Sequence, residues 1–268
     1  MTRQTPPGGL PARLLQGSAA LWFVVAAAFQ LLFAFYIAAL YGTGTLRGDS
    51  AVWNLIMRNG HIEGDPAGNA AMMAHVLLAC LITLGGLAQL TPQIRNRFPA
   101  FHRWNGRVYL TLAVIISLAG LFLTWTRPAA SGLSNDISIS LNGVLILIFA
   151  AFTVRHAMAR RIDIHRRWAT RLFLAVSGVW FLRIMISGWI MFHQAPLWLG
   201  DRLDGPAGVA FGFASFLLPL AVYELYLRAG DGQKAGAKLA SAALIAALAG
   251  LTAFGGIAAA MIMWLPFI

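Results

Sequence analysis

The segment Phe101–Thr126 reads FHRWNGRVYLTLAVIISLAGLFLTWT: a basic and aromatic opening followed by an apolar run that ends beside a second tryptophan. About 20 helical residues cross the ~30 Å of a bilayer's hydrocarbon core, and the run from Gly106 to Thr126 has that length. Arg103 and Arg107 belong on the water side, and Trp104 and Trp125 are placed for the two interfaces where amphipathic rings settle. The stretch therefore reads as a transmembrane helix with a basic mouth. Ile164–Arg171, IHRRWATR, echoes its opening. Each copy carries a histidine and a Trp-x-x-Arg pair, and each leads into a long apolar segment, so one local structure is used twice at a membrane surface.

Composition extends this reading to the whole chain. With 59% hydrophobic and 11% charged residues among 268, and a mean hydropathy of +0.72, the chain is too apolar for a soluble globule. The net charge of +11 lies in short loops between apolar runs, where basic residues report topology rather than nucleic acid. Cys80 is the single cysteine, which excludes an intrachain disulfide and a Cys-x-x-Cys-His haem attachment. There is no phosphate-binding glycine loop, no His-Glu-x-x-His and no Gly-x-Ser-x-Gly. Carboxylates inside apolar runs are nearly absent, which argues against a proton pump built on an acid chain.

About seven runs are long enough to span: approximately 21–41, 70–90, 106–126, 137–157, 169–191, 207–227 and 239–264. The expected fold is all-α, a polytopic transmembrane bundle forming a single membrane domain over 1–268. Residues 1–20 form an N-terminal segment, 70–191 a four-helix core from the second to the fifth span, and 207–264 two added helices. The first run reads as a retained anchor. Of the 20 Lys and Arg residues, 15 fall on the side of the N-terminus, from Arg3 and Arg13 to Lys234 and Lys238. Arg47, Arg58, Arg127 and Arg202 fall opposite, and Arg183 lies within a span. The positive-inside rule then puts the N-terminus in the cytoplasm and the C-terminus outside. Both His-Arg-Trp stretches enter from the cytoplasmic face, which makes the second-third and fourth-fifth helices a candidate parallel repeat.

Polar residues inside spans are costly and point to function. His75 shares a helical face with Ile82, Gly86 and Gln89. Arg183, 12 residues beyond Arg171, is expected near the depth of His75, so the two are candidates for one polar pocket; helix bridging and snorkelling are the alternatives. Glu224 reads as solvated or paired with Arg228, and Gln30 as a helix bridge, neither carrying much functional weight. At the cytoplasmic edge His102, His156 and His165 gather with Arg103, Arg107, Arg166 and Arg171. Imidazoles ligate iron and guanidinium groups suit haem carboxylates, so haem b is one reading, with His75, His102 and His165 as axial ligands. Anchoring to anionic lipid is the other.

The pattern from His75 through Gly85-Gly86-Leu87-Ala88-Gln89 and Arg95 to Pro99-Ala100-Phe101-His102-Arg103-Trp104-Asn105-Gly106-Arg107-Val108-Tyr109, resumed at His165-Arg166-Arg167-Trp168 with Arg171 and Arg183, resembles the bacterial membrane-protein family catalogued as domain of unknown function 2306. The resemblance covers roughly residues 70–188. It implies a multi-pass protein of the bacterial inner membrane, of unassigned activity, with a bundle similar in outline to transmembrane b-type cytochromes. Fold outline does not carry function, and with a single clear histidine at the outer level, His75, the pattern departs from a two-haem cytochrome. Three function classes follow: electron transfer through haem b to quinone or a redox partner; a transporter or lipid- or small-molecule-binding protein using His75 and Arg183; and a structural or assembly subunit of a homo-oligomer or larger membrane complex. The bilayer is a partner in all three, nucleic acid in none, and no enzyme class is specified.

Overall fold

Prolines mark where several helices begin. Proline fits the first helical turn, where its missing N–H costs nothing, and Pro66, Pro92, Pro99 and Pro206 each open a helix. Asp65 caps one of them by accepting the Gly68 N–H at 2.8 Å. The computed structural model describes residues 9–57, 59–127 and 132–268, so Arg3 and Arg58 of the charge count lie outside the described residues. Helix α1 (Leu10–Ile37) passes through a π turn, Ala38–Gly42, into the short α2 (Thr43–Arg47). Then come α3 (Pro66–Leu90), α4 (Pro92–Arg97), α5 (Pro99–Thr126), α6 (Leu133–Met158), α7 (Ile162–Val176), α8 (Gly178–His193), α9 (Pro206–Asp231) and α10 (Ala235–Ala259), which ends in a second π turn. The described residues contain no strand.

Among the described residues six helical segments are long and apolar enough to cross a membrane, and α7 with α8, bent by 48°, passes the same test as a pair. Polar and apolar surfaces are arranged as lipid demands. Gln30, Ser117, Ser138, Thr153, Ser177 and Thr252 are buried, while Val24, Leu31, Phe35, Leu118 and Leu251 face outward. The helices close a ring. α1 packs on α10 and α3, α3 on α5, α5 on α6, α6 on α7 and α9, and α8 on α9 and α10.

The run 169–191, read as one continuous helix, is broken at Ser177. A serine-glycine step is a common site for a sharp kink, and Ser177-Gly178 is such a step. A Cβ on Gly178 would lie 2.9 Å from Asn142 Nδ2, so a side chain there would collide with the contact that holds the break.

One end of the ring is fastened by Arg127, which follows α5. Its side chain is 6% exposed and forms an ion pair with Asp65 at 3.1 Å. It also donates to the carbonyls of Asn59 at 2.7 Å and Gly60 at 3.2 Å, and to Asn69 Oδ1. This clasp ties the end of α5 to the start of α3.

Candidate functional site

The two His-Arg-Trp copies keep the same local geometry. On a helix, residues three apart are neighbours; Arg107 lies 4.9 Å from the Trp104 ring and Arg171 4.7 Å from that of Trp168. Their surroundings differ. Trp168 packs against Phe149 and Phe152 at 5.6 and 4.6 Å, and Arg171 donates to Glu224 at 2.7 Å. Glu224 thus pairs with Arg171 on α7, whereas the sequence suggested solvent or Arg228. Trp104 is 66% exposed, and its copy is held by backbone contacts: Gln89 Nε2 donates to the His102 carbonyl and Asn105 Nδ2 to that of Gly85, both at 2.9 Å.

The histidines of this basic end are brought partly together. His102 lies within electrostatic range of His165, Arg95 and Arg103. His165 Nδ1 donates to the Thr153 carbonyl at 3.0 Å, since a carbonyl can only accept. His156 stacks on Phe152. Arg103 and Arg107 are exposed, Arg166 faces Asp163 at 3.9 Å, and Arg171 is held by Glu224. Among the described residues no group of three or more His, Cys, Asp or Glu is placed to hold a metal ion.

His75 is elsewhere. It lines a cavity of about 210 Å³ between α1, α3, α5, α6, the α7–α8 break and α9. Its Nδ1 donates to the Ile116 carbonyl at 3.1 Å, which leaves Nε2 as an acceptor in the neutral ring. Gly120 makes room: a Cβ there would come within 3.0 Å of His75 Cε1. At the break, Gln30 Nε2 donates to Ser177 Oγ and Asn142 Nδ2 to the Ala175 carbonyl, each at 3.1 Å. Gln30 is therefore a wall of the cavity and a brace of the bent helix, more than the plain bridge its sequence position suggested.

Four polar atoms of the lining are buried without a hydrogen-bond partner: Tyr109 Oη, Ser117 Oγ, Asn142 Oδ1 and Trp180 Nε1. Orphaned groups in an apolar interior each forfeit on the order of 1–3 kcal/mol. The cavity concentrates this cost, as a site for a hydrogen-bonding guest does. Among the described residues no Asp, Glu, Lys or Arg lines it. Arg183, expected beside His75, is within its electrostatic range but stands behind Phe33, 5.3 Å from that ring, and donates to the Val179 carbonyl at 3.2 Å. Among the described residues His75 is the one histidine that lines the cavity.

Ser117, Asn142 and Ser177 were not among the residues singled out from sequence, and Tyr109 entered only as the end of the family pattern. The available signal was neutral polar residues within apolar runs, together with the serine-glycine step; attention to charge and histidine passed over both. Neither a curated protein nor a solved structure matches the chain significantly. Residues 72–199, from α3 into the loop after α8, match the model of the family described as predicted membrane protein (DUF2306), the family that the His75-to-Arg183 pattern resembles.

Proposed function

We propose that this membrane helical bundle binds a small hydrogen-bonding molecule in the cavity between α3, α5, α6 and the α7–α8 break, as the recognition step of a transporter or small-molecule-binding protein. The observation that carries the reading is the set of four partnerless polar atoms, from Tyr109, Ser117, Asn142 and Trp180, that line one space of about 210 Å³. Apolar walls with a few placed polar groups are the usual form of a small-molecule site. A discontinuous helix beside such a site is the usual form in secondary transporters, and here the break at Ser177 supplies it.

The test is occlusion. Ala113 is 1% exposed and lines the cavity, so Ala113→Leu fills it from a helix that is otherwise unchanged. Purified protein in liposomes, screened by osmotic swelling and by thermal shift against small solutes, is expected to respond to a subset of them. Ala113→Leu, checked for intact helix content and a monodisperse elution profile, is expected to abolish the response. A response that survives occlusion, or its absence for every solute, would overturn the proposal.

A further inference from the structure

The charge of the guest can be read from the groups around the cavity. Arg183 is ten residues before the end of α8 at His193, about 15 Å along the axis at 1.5 Å per residue, which puts it deep within the span. Among the described residues no carboxylate stands within ion-pair distance of it. Its neighbours are the Phe33 ring, the Val179 carbonyl and, within electrostatic range, the neutral hydroxyls of Tyr36 and Tyr41, which bond each other at 3.3 Å. An intramembrane cation without a counter-charge leaves a positive potential that falls off slowly in a medium of low dielectric constant.

Hydrogen-bond donors inside the cavity point the same way. The α8 N-terminus adds little net field there, because the carbonyl end of α7, with Phe173 and Val176, lines the same break and opposes it. Trp180 is 2% exposed, and Ser117 and Tyr109 are each 6% exposed; the indole N–H can only donate, and the two hydroxyls are able to. Asn142 Oδ1 and His75 Nε2 remain as acceptors.

We infer that the cavity takes a small organic monoanion, a carboxylate whose oxygens accept from Trp180, Ser117 and Tyr109 and whose charge answers Arg183. Asn142 and His75 are placed to accept from a hydroxyl or N–H on the same molecule. The inference rests on the cavity being a binding site, and it adds the sign of the charge. Arg183 acts across Phe33, through its field, so it is a positioning residue for an anion rather than a ligand.

The experiment compares three solutes of similar size on the full chain in liposomes: lactate, lactamide and ethanolammonium. The expected result is uptake or thermal stabilisation with lactate at least tenfold more effective than lactamide, and none with ethanolammonium. Arg183→Gln is expected to erase the preference for lactate, and Arg183→Lys to restore most of it. Ser117→Ala, which removes a donor and leaves the helix intact, is expected to weaken lactate several-fold. Lactamide acting as strongly as lactate, or a lactate response untouched by Arg183→Gln, would overturn the anion assignment while leaving the cavity a binding site. Response to none of the three, nor to any other small solute, would overturn the site itself and the inference with it.

Discussion

Two arginines far from either chain terminus meet opposite treatment. Arg127 has a carboxylate, a side-chain amide and two backbone carbonyls around its guanidinium. Arg183 has one carbonyl and an aromatic face. Where a cation serves the fold, this chain surrounds it with acceptors, because a buried charge without them is strongly destabilising. Arg183 is left short of acceptors next to a cavity whose own donors are idle. The contrast separates a cation whose acceptors the fold supplies from one to which the fold gives a single carbonyl and a ring face.

The largest expected effect tests the first half of that contrast. Arg127→Ala should destabilise the protein by about 3–5 kcal/mol in chemical unfolding from detergent, because Asp65 and Asn69 are left facing each other without the cation. Gln30→Leu comes next: it removes the amide that donates to Ser177 while keeping volume, and should cost about 1–2 kcal/mol. Gly120→Ala should cost about 1 kcal/mol, because the new methyl must displace the His75 ring; it should also lower solute binding by more than its effect on folding. Arg183→Gln should leave the unliganded protein as stable as before or more stable, since no ion pair is broken and a cation short of acceptors is removed. If its cost matched that of Arg127→Ala, the distinction between the two arginines would fail. The smallest effect is that of Tyr109→Phe, which deletes a hydroxyl without a partner and should leave the empty protein within about 0.5 kcal/mol of its original stability, while lactate binding falls.

These contrasts also show which parts of the molecule its sequence made legible. Apolar length is a property of a window, so the spans and the all-helical architecture could be read directly, as could His75 as an inward group. The partner of Arg127 could not. Asp65 lies 62 positions away, and no local pattern joins them; nor does one join Arg171 to Glu224, 53 positions apart. The break at Ser177 was hidden for a different reason. The residues next to it, Leu172–Val176 and Val179–Leu182, are apolar on both sides, so the apolar run continues across it. The cavity's serines, asparagines, tyrosine and tryptophan come from α5, α6, α8, α9 and the break between α7 and α8, and each alone is an ordinary residue of its type. Their meaning lies in convergence, which only the packing supplies. The duplicated His-Arg-Trp stretch shows the converse: the sequence echo is a true local repeat in the stacked Trp–Arg geometry, yet Trp168 is embedded and Trp104 is exposed, because α6 covers one copy and nothing comparable covers the other.

The bend at Ser177 has a mechanical meaning as well. Two amide side chains from two different helices hold it, Gln30 from α1 and Asn142 from α6, and neither belongs to the backbone ladder of α7 or α8. Helix α8 is 16 residues long, a rigid arm of about 24 Å. A rotation of about 10° at its base would carry its tip, at His193, by about 4 Å. A change no larger than one hydrogen bond at Ser177 is thereby geometrically magnified along α8 into a displacement of several ångströms at its far end.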